Sequence, residues 1–326
     1  MIVRFAVVGC GTAARHLHLP ALRAAGVDVT VFASRSSASA ERARDEWGTG
    51  QVVERWEDAV ARDDVDAVVI ATPNAQHAPV AIAAAVAGKH VLVDKPIACT
   101  AAEADAMIAA ATAHGTVLVP FHNTRFAAPF VAARDAVSGG RIGTLTGFRV
   151  AFGHAGPQHW APEATWFFDP AVSGGGCLVD LGVHAVDLVR AVTADDVIEV
   201  AAALTRHHDG VEHDAQLLAR LAGGAMGSVH VSWTARPGPD HQLTLFGDAG
   251  TLHLDGRTPL TWFPADGGAR ERVELPDVTS SPLEELLAAI RGERNPSVTA
   301  RDGRAAIAVV DAAYRAAERR QFEAVS

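Results

Sequence analysis

The chain begins with a short apolar run that leads directly into a glycine-rich turn. Residues 2–8 are mostly apolar and end at Gly9, as expected of a buried parallel strand. The turn reads Gly9-Cys-Gly-Thr-Ala-Ala14, which is a G-x-G-x-x-A pattern. Its first glycine permits a tight turn, its second lets the backbone approach a pyrophosphate, and the small Ala14 allows close helix–strand packing. The pattern therefore predicts a dinucleotide-binding turn at the N-terminus of a helix.

The end of the second predicted strand, 27–33, bears on the choice of dinucleotide. Sites that prefer NAD usually place an acid there, on the ribose 2′-hydroxyl. This chain continues instead with Ser34-Arg35-Ser-Ser37, where the Arg35 guanidinium could grip a 2′-phosphate as a fork. Arg35 could also stack on adenine, which would serve either cofactor, or be a loop residue beside a helix N-cap serine. We therefore predict NADP as the cofactor, with NAD as the alternative.

Strands and helices continue to alternate through the first part of the chain. The further apolar strand segments are 66–71, 90–93 and 117–121. Thr100 and Glu103 have the spacing of a capping box, which predicts the start of the helix before the last of these strands. Alternation of this kind indicates a doubly wound parallel sheet, so we expect an α/β Rossmann domain over 1–122.

The segment His90-Val-Leu-Val-Asp-Lys95-Pro96 places a lysine at the C-terminal end of a predicted strand. Proline fixes its own φ and holds the residue before it in extended geometry. Lys95 should therefore lie on a stiff corner, at the edge where open α/β sheets bind their ligands. For an isolated Lys-Pro pair, a solvated lysine is the simpler interpretation. The motifs on either side favour an active-site role instead.

Beyond residue 122 the pattern changes from alternation to runs of strands. A helix is predicted over 126–137, and two more over 282–291 and 299–320. The predicted strands are 144–152, 197–205, 215–221, 225–233, 242–246 and 251–254. Runs of antiparallel strands after a βαβ region indicate an α+β domain with a large, mostly antiparallel open sheet, here over 123–326. Its open face needs a cover, most simply a second subunit, so we expect a homo-oligomer.

One helical segment interrupts these strands and carries a second set of polar residues. It follows the three glycines 174–176, which would let the backbone pass close to a ligand. Asp180 and His184 are four residues apart and therefore share one face of the helix. An isolated pair of this kind could lie on the surface, and a metal pair lacks a third ligand at suitable spacing. The glycines and the aromatic cluster 166–168 favour an active-site pair, and we predict no metal.

Composition excludes several classes of function. The net charge is −10 and no long run of Lys or Arg occurs, which argues against nucleic acid or an anionic membrane surface as a partner. The three cysteines, Cys10, Cys99 and Cys177, are far apart, which is typical of a reducing compartment without disulfides. The N-terminus lacks a signal-peptide pattern, and no apolar run reaches the roughly 18 residues of a membrane span. We therefore expect a cytoplasmic protein.

Together these motifs resemble the Gfo/Idh/MocA oxidoreductase family, to which glucose–fructose oxidoreductase and inositol dehydrogenase belong. The resemblance covers nearly the whole chain and rests on the segments 9–14, 70–77, 88–96, 123–126 and 174–187. It implies an NAD(P)-dependent dehydrogenase or reductase acting on CH–OH groups of a sugar, cyclitol or sugar derivative. Two alternatives stay open. One is a non-catalytic, dinucleotide-binding sensor of the same fold, and the other is an enzyme that recycles its bound cofactor within one catalytic cycle.

The resemblance also implies roles for individual residues. Lys95 matches the catalytic lysine of the family, and Asp94 stands where a glutamate is more usual. Asp180 and His184 match the aspartate and histidine of the second domain. Oxidation at a carbinol carbon needs a group that accepts the hydroxyl proton, and histidine, with a reference pKa of about 6.5, suits this task. The predicted catalytic residues are therefore Lys95 and His184 as the proton path and Asp180 as the orienting group.

The remaining predicted site residues fall into two sets. The predicted cofactor-binding residues are Gly9, Gly11, Thr12, Ala13, Ser34, Arg35, Ala71, Thr72, Pro73, Asn74, His77, Asp94 and Lys95, of which the corner 72–74 and His77 are implied by the resemblance. Aromatic rings stack on sugar C–H faces and imidazoles hydrogen-bond hydroxyls, which points to a small-molecule pocket. The predicted substrate-binding residues are Lys95, Arg125, His154, Trp166, Asp180 and His184, with His159 and Trp160 as further candidates. We interpret His207, His208 and His213 as surface residues in a polar loop.

Overall fold

The computed structural model describes residues 2–235, 241–256 and 259–326. The chain separates into two compact units, which we describe one at a time. The first unit holds the chain through His122 together with Ser280–Arg304. The second unit holds Asn123–Thr279 and Ala305–Ser326.

The first unit is built on a six-stranded sheet. Its strands are β1 Arg4–Val8, β2 Asp28–Ala33, β3 Gln51–Val53, β4 Ala67–Ile70, β5 His90–Val93 and β6 Leu118–Pro120. They lie in the order β3-β2-β1-β4-β5-β6, and every neighbouring pair is parallel. The strand order reverses between β1 and β4, which is where doubly wound sheets bind dinucleotides. The predicted Rossmann sheet is confirmed.

The helices of residues 2–122 are α1 Leu19–Ala24, α2 Ser37–Trp47, α3 Trp56–Val60, α4 His77–Val86 and α5 Ala101–Ala113. Among them, α2 and α5 begin with a capping side chain, Ser36 and Thr100 respectively. The capping box of α5 is confirmed, because Thr100 Oγ1 accepts the Glu103 N–H at 3.2 Å and the Glu103 carboxylate accepts the Thr100 N–H. A π-helical turn, Ala14–His18, precedes α1. Pro20 follows this turn within a continuous helical segment that starts at Thr12, and its ring nitrogen cannot donate a helical hydrogen bond.

The second unit is built on a nine-stranded sheet with helices between its strands. The helices are α6 Ala128–Ser138, α7 Pro170–Ser173 and α8 Val183–Thr193, and a π-helical turn, Leu178–Gly182, leads into α8. The strands are β7 Leu145–Gly153, β8 Val197–Arg206, β9 Glu212–Leu221, β10 Met226–Ser232, β11 His241–Gly247, β12 Gly250–Leu254, β13 Thr261–Pro264, β14 Glu271–Arg272 and β15 Glu323–Ala324. Their order is β14-β13-β12-β11-β7-β10-β9-β8-β15, and β7 and β10 run parallel whereas the other pairs are antiparallel. The predicted α+β domain with a mostly antiparallel sheet is confirmed.

The C-terminal part of the chain contributes two helices, α9 Pro282–Ile290 and α10 Ala300–Arg319. The sequence predicted one continuous second domain over 123–326, whereas 280–304 belongs to the first unit. The physical reason is the apolar face of α9, on which Leu283, Leu286 and Leu287 are buried, and α9 packs against β5 and β6.

One helical stretch of the second unit, Pro170–Thr193, has the length and apolar composition of a membrane span. However, 83% of the apolar window is buried inside the protein, as in the core helix of a globular domain. The buried side chains of α8 include Val183, Leu188 and Val189. This stretch therefore packs as a core helix, and it carries His184 near its centre.

Candidate active site

The turn after β1 is shaped by two glycines with different requirements. Gly9 has a φ of +88°, and a Cβ atom built there would lie 2.4 Å from the carbonyl oxygen of Ala71. The turn thus passes in direct backbone contact with the end of β4, which only glycine allows. At Gly11 a Cβ would meet nothing within 4 Å, so the backbone of the turn borders open space. Burial raises the pKa of the Cys10 thiol to about 12, which keeps it a neutral packing group.

A dinucleotide fits the residues around this turn. The open side of Gly11 leaves room for a pyrophosphate beside the backbone of Thr12 and Ala13, at the start of the helical segment. At the adjacent corner, the Thr72 hydroxyl is buried and has no hydrogen-bond partner among the residues that the structure describes. A buried polar atom without a partner is costly, so a ligand that completes it would be favoured. Gly9, Gly11, Thr12, Ala13 and Thr72 could therefore hold the cofactor.

The end of β2 presents hydroxyl groups and one cation. Ser34 is half-buried and its Oγ accepts the N–H of Ser36 at 3.3 Å, while Ser36 caps α2 by accepting the N–H of Ser39. Arg35 is exposed, and it forms no ion pair within the described part of the chain. The stretch from Ser34 to Ala40 contains no acid. The polar groups at this position therefore suit a ribose hydroxyl or a 2′-phosphate.

The corner after β4 is held from behind by His77. The corner comprises Ala71, Thr72, Pro73 and Asn74 and leads through a short 3₁₀ turn into α4. The His77 ring is fully buried, with Nε2 2.9 Å from the carbonyl oxygen of Thr72 and Nδ1 2.7 Å from that of Pro96. Burial lowers the pKa of His77, which favours a neutral ring that donates one hydrogen bond. His77 therefore joins two backbone corners rather than facing open space.

Lys95 follows the fully buried strand residues of β5 and is itself half-buried. Its backbone N–H donates to Asp94 Oδ1 at 2.7 Å, so the side chain of Asp94 folds back onto the peptide that carries Lys95. The other carboxylate oxygen, Oδ2, lies 3.3 Å from His18 Nε2. Burial acts to raise the pKa of Asp94, but the His18 hydrogen bond and the charge of Lys95 outweigh it and bring the pKa to about 2. The Asp94 side chain at this corner is therefore an ionised carboxylate at neutral pH.

Asp180 is the central acid of the second unit. Only 5% of the residue is exposed, and its Oδ2 accepts the Trp233 Nε1–H at 2.8 Å. His154 Nε2 lies 3.2 Å from the same oxygen. The structure thus brings together two predicted site residues, His154 and Asp180, and adds Trp233, which the sequence analysis did not identify. A carboxylate fixed by donors in a largely buried position is a group suited to orienting a charged or polar partner.

His184 and Arg125 are both held by contacts between α8 and the 3₁₀ turn Asn123–Phe126. His184 Nδ1 lies 3.1 Å from the Thr124 hydroxyl oxygen. Arg125 forms a two-bond ion pair with Asp187, in which Nε donates to Oδ2 at 2.9 Å and Nη2 donates to Oδ1. Both partners are almost completely buried. Arg125, predicted to bind substrate, is therefore placed as an anchor of this turn on α8.

Comparison with known proteins connects these two sets of residues to one family. Residues 3–122 match the model described as oxidoreductase family, NAD-binding Rossmann fold, and residues 130–253 match the Gfo/Idh/MocA C-terminal domain. A curated relative, 1,5-anhydro-D-fructose reductase of Ensifer adhaerens, is 32% identical over 311 residues, 92% of each chain. The chain belongs to the Gfo/Idh/MocA oxidoreductase family.

Two further proteins are similar to this chain over nearly its whole length. Inositol 2-dehydrogenase of Rhizobium meliloti is 28% identical over 339 residues, 99% of each chain. GenD2 from gentamicin A biosynthesis, whose crystal structure is in complex with NAD, is 30% identical in sequence, with a TM-score of 0.85. The match covers 100% of this chain and 97% of the GenD2 chain. This Gfo/Idh/MocA protein is therefore an NAD(P)-dependent dehydrogenase or reductase acting on CH–OH groups, with an NAD-binding Rossmann domain.

An aromatic cluster surrounds Trp233, the partner of Asp180. Trp166 stacks on Phe167 with ring centroids 4.0 Å apart, and Phe167 meets Trp233 edge-on at 6.3 Å. Trp160 also meets Phe167 edge-on, at 5.4 Å, and is itself exposed. Trp166 is thereby connected through packed rings to the group that holds Asp180. His159, another candidate from the sequence, is exposed on the 3₁₀ turn Pro157–His159.

The surface interpretation of the histidine loop is correct for two of its three residues. His207 and His208 are exposed, whereas His213 is not. The side chain of His213 is 17% exposed, and its Nε2 lies 2.8 Å from Asp209 Oδ2. Its ring packs between His207 and Trp233, at centroid distances of 4.0 and 5.5 Å. The interpretation was wrong for His213, because alternation along β9 turns its side chain toward the aromatic cluster.

The glycines before Asp180 serve packing within the second unit. A Cβ at Gly175 would lie 1.9 Å from the hydroxyl of Tyr314, and one at Gly176 would lie 2.0 Å from the carbonyl oxygen of Glu212. Both positions therefore exclude any side chain for reasons internal to the protein, whereas the sequence analysis assigned these glycines to close approach of a ligand. The fully buried Glu212 was missed, although a glutamate in a strand of alternating buried positions is a usable signal.

Among the described residues, no group of three or more His, Cys, Asp or Glu side chains could hold a metal ion. The polar candidate residues of this family member are acids, imidazoles and a lysine. In the first unit these are Asp94 and Lys95, and in the second unit they are His154, Asp180 and His184. Such groups can bind hydroxyls, orient them and move a proton.

Proposed function

We propose that this protein oxidises a hydroxyl group, or reduces a carbonyl group, of a sugar, cyclitol or sugar derivative. When bound, the nicotinamide cofactor supplies the hydride chemistry. Lys95 and His184 form the proton path to the substrate oxygen, and Asp180 orients them. The named substrates of the relatives support this class, since they include 1,5-anhydro-D-fructose and inositol.

The observation that carries this proposal is the fixed carboxylate of Asp180 in the segment that leads into His184. Trp233 and His154 hold its Oδ2, so the charge stays at one place in a largely buried site. An acid there stabilises a neighbouring cationic imidazole or ammonium and fixes its direction. Thr124 holds Nδ1 of His184, which sets the orientation of the imidazole ring. This arrangement suits a general acid–base pair better than a passive binding surface.

The experiment is a turnover assay with two variants and a matched lysine control. We expect Lys95→Met and His184→Asn to lower kcat by about 100-fold or more, because general acid–base groups contribute on this scale. Quenching of tryptophan fluorescence by NADH should be kept in both. The substrates to screen are 1,5-anhydro-D-fructose with NADPH or NADH, and myo-inositol with NADP⁺ or NAD⁺.

The control is Lys89→Met, which removes a lysine whose Nζ donates to the carbonyl oxygens of Arg62 and Val65 at 2.8 Å each. This change should lower stability and leave kcat unchanged. Full turnover of Lys95→Met would refute the role of the lysine. NADH binding with no turnover of any substrate would favour the sensor alternative, and turnover without added cofactor would favour an enzyme that recycles its bound dinucleotide.

We further propose that the protein prefers NADP over NAD, with Arg35 gripping the 2′-phosphate. Support comes from the exposed guanidinium and from the absence of an acid between Ser34 and Ala40. Arg35→Ala should raise the KM for NADP about tenfold, equal to about 1.4 kcal/mol, and change the KM for NAD little. Arg42→Ala, which removes an exposed arginine from the same helix region, is the control. Equal increases in both KM values would exclude a 2′-phosphate contact.

We also propose an oligomeric state and a cellular location for the enzyme. The first is that the nine-stranded sheet joins a second copy of the chain, supported by the exposed apolar residues Leu218, Met226 and Phe246 on that sheet. The second is that the enzyme works in the cytoplasm. Support for it is that Cys10, Cys99 and Cys177 are all free.

A further inference from the structure

His18 is a buried histidine that the sequence motifs did not single out. It ends the π-helical turn Ala14–His18, which directly follows the dinucleotide-binding turn. Its residue exposure is 1%, and it shares a buried helix face with Ala14 and Leu22, four positions to either side. An imidazole at such a position is costly to desolvate unless a specific partner compensates it.

The contacts of His18 show which of its ring nitrogens donates a hydrogen bond. One side of the ring packs on Phe121, with centroids 4.4 Å apart. Nε2 lies 3.3 Å from Asp94 Oδ2, whereas Nδ1 is buried with no hydrogen-bond partner in the part of the chain that the structure describes. A carboxylate can only accept a hydrogen bond, so the ring nitrogen that faces it must carry an N–H. The proton therefore belongs on Nε2, which donates to Asp94.

Asp94 links His18 to the backbone of Lys95. Its Oδ1 accepts the Lys95 N–H at 2.7 Å while its Oδ2 accepts from His18. The carboxylate is thus fixed at both oxygens, by a ring from the helix after the dinucleotide turn and by the peptide that carries the lysine. The other charged or titratable groups that face Asp94 are Lys95 itself and His77, whose ring holds the carbonyl oxygen of Pro96.

We propose that His18 is a positioning residue for Lys95, acting through the Asp94 carboxylate. The inference rests on the proposed catalytic role of Lys95 and goes beyond it by naming what holds the lysine in place. Because only 1% of His18 is exposed, we place it behind the lysine corner and not among the groups that contact the substrate. It fixes the carboxylate that fixes the Lys95 peptide, and so connects the cofactor-binding helix to the end of β5. Loss of its N–H leaves Asp94 Oδ2 without this donor and the corner free to shift.

The test compares two replacements of His18. His18→Phe keeps a ring against Phe121 and removes the donor, whereas His18→Gln keeps an amide donor near the position of Nε2. With 1,5-anhydro-D-fructose and NADPH, kcat of His18→Phe should fall about 10- to 100-fold, the scale expected when a reacting group is displaced by about 1 Å. The Kd for NADH, measured by tryptophan fluorescence, should change less than about twofold. His18→Gln should recover most of kcat.

A double-mutant cycle separates positioning through Asp94 from general destabilisation. If His18 acts through Asp94, adding His18→Phe to Asp94→Ala should lower kcat no further. The control is His90→Phe at the opposite end of β5, where the imidazole Nδ1 accepts the Val117 N–H at 3.0 Å. This variant should lose stability as His18→Phe does and keep its kcat. Additive losses of kcat, or an equal loss in His90→Phe, would overturn the proposal.

Two further outcomes distinguish this proposal from the proposed function. Wild-type kcat in His18→Phe, together with an inactive Lys95→Met, would overturn the role of His18 and leave the function standing. An active Lys95→Met would overturn both. A readout independent of turnover is the ¹⁵N NMR spectrum of the imidazole, in which His18 should carry its proton on Nε2. An Nε2 atom without a proton would contradict the hydrogen bond to Asp94.

Discussion

Two of the candidate carboxylates, Asp94 in the first unit and Asp180 in the second, each accept a hydrogen bond from a ring N–H group. His18 lies against Asp94, and Trp233 donates to Asp180. Such a donor fixes the position of the oxygen atoms. A carboxylate fixed in this way can orient a lysine or imidazole beside it. By contrast, Asp187 pairs fully with Arg125, as expected of a structural ion pair.

At the residue scale, the two glycines of the dinucleotide turn should respond differently to alanine. Gly9→Ala requires an unfavourable positive φ and an overlap with the Ala71 carbonyl, so we expect the free energy of unfolding to fall by about 3 kcal/mol. Gly11→Ala meets no protein atom, so its stability should change by less than about 0.5 kcal/mol. Its affinity for NADH should nevertheless fall about tenfold, because the new methyl group enters the space for the pyrophosphate.

Urea unfolding and NADH titration of both variants check this prediction. Gly26→Ala is the matched control, since Gly26 also has a positive φ, of +65°, but no atom lies within 4 Å of the added Cβ. It should cost about 1 kcal/mol from backbone conformation alone. Equal destabilisation by Gly9→Ala and Gly26→Ala would show that the contact with Ala71 is unimportant.

At the scale of elements, buried glutamates accept hydrogen bonds from backbone N–H groups that lack partners within their own segment. Glu212 Oε1 accepts the N–H groups of Gly176 and Leu178 at 2.9 and 3.0 Å, and the Tyr314 hydroxyl at 2.8 Å. These amides precede or begin the π-helical turn that carries Asp180, where helical partners are lacking. Burial beside Glu212 raises the pKa of Tyr314, so its hydroxyl remains a donor. The glutamate thereby fixes the start of the Asp180 segment.

Glu285 closes the loop after α9 in a comparable way. Its carboxylate accepts from the Ser280 hydroxyl and the Ser297 N–H at 2.6 Å each, and from Arg294 at 2.9 Å. Burial acts to raise its pKa, but these donors outweigh it and lower the pKa from 4.5 to about 2. A depressed pKa means that the ionised group stabilises the folded state above pH 4.5 and that this stabilisation is lost as the pH falls toward 2.

We expect Glu285→Gln to lower the free energy of unfolding at pH 7 by about 1–3 kcal/mol, the scale of buried hydrogen bonds to a charged group. The difference from wild type should shrink at pH 3, where the wild-type contribution is partly lost. Urea unfolding at both pH values measures it. Glu284→Gln, at the next position of the same helix, should have little effect. A difference that is the same at pH 3 and pH 7 would contradict a role for the ionised carboxylate.

At the scale of the whole molecule, the nine-stranded sheet exposes apolar side chains that a second copy could cover. Leu218, Met226 and Phe246 are 52, 40 and 41% exposed and line one shallow cavity with Phe148 and Arg149. Clustered exposed apolar residues are typical of interaction surfaces. Light scattering after size-exclusion chromatography should therefore give a mass of two or more chains of 34.0 kDa each.

A charge placed in this surface should dissociate the oligomer. We expect Leu218→Glu to elute with the mass of one chain, 34.0 kDa, because removing a carboxylate from water in an apolar interface is costly. Val86→Glu changes an equally apolar residue, 59% exposed on α4 of the first unit, and should leave the mass unchanged. A wild-type protein that is itself monomeric would refute the proposed oligomer.

The alternation of strands and helices was predictable because it depends on local information. Apolar runs, glycine turns and caps act over a few residues, so β1, β4, β5 and the capping box of α5 were predicted close to their observed bounds. The short β3 was missed, because three half-exposed residues, Gln51–Val53, carry too little pattern. The sequence analysis also did not predict that residues 280–304 belong to the first unit, because a sequence pattern does not show which sheet a helix packs on.

The sequence by itself determined the type of sheet, the dinucleotide turn and the positions of Lys95, Asp180 and His184. Only the tertiary structure decided which side chains hold them. His18 and Asp94 are 76 residues apart, Arg125 and Asp187 are 62 apart, and Trp233 and Asp180 are 53 apart. Such pairs form because packing brings buried polar groups together and each must find a partner there. No local pattern encodes that choice, which is why His18 could be found only in the fold.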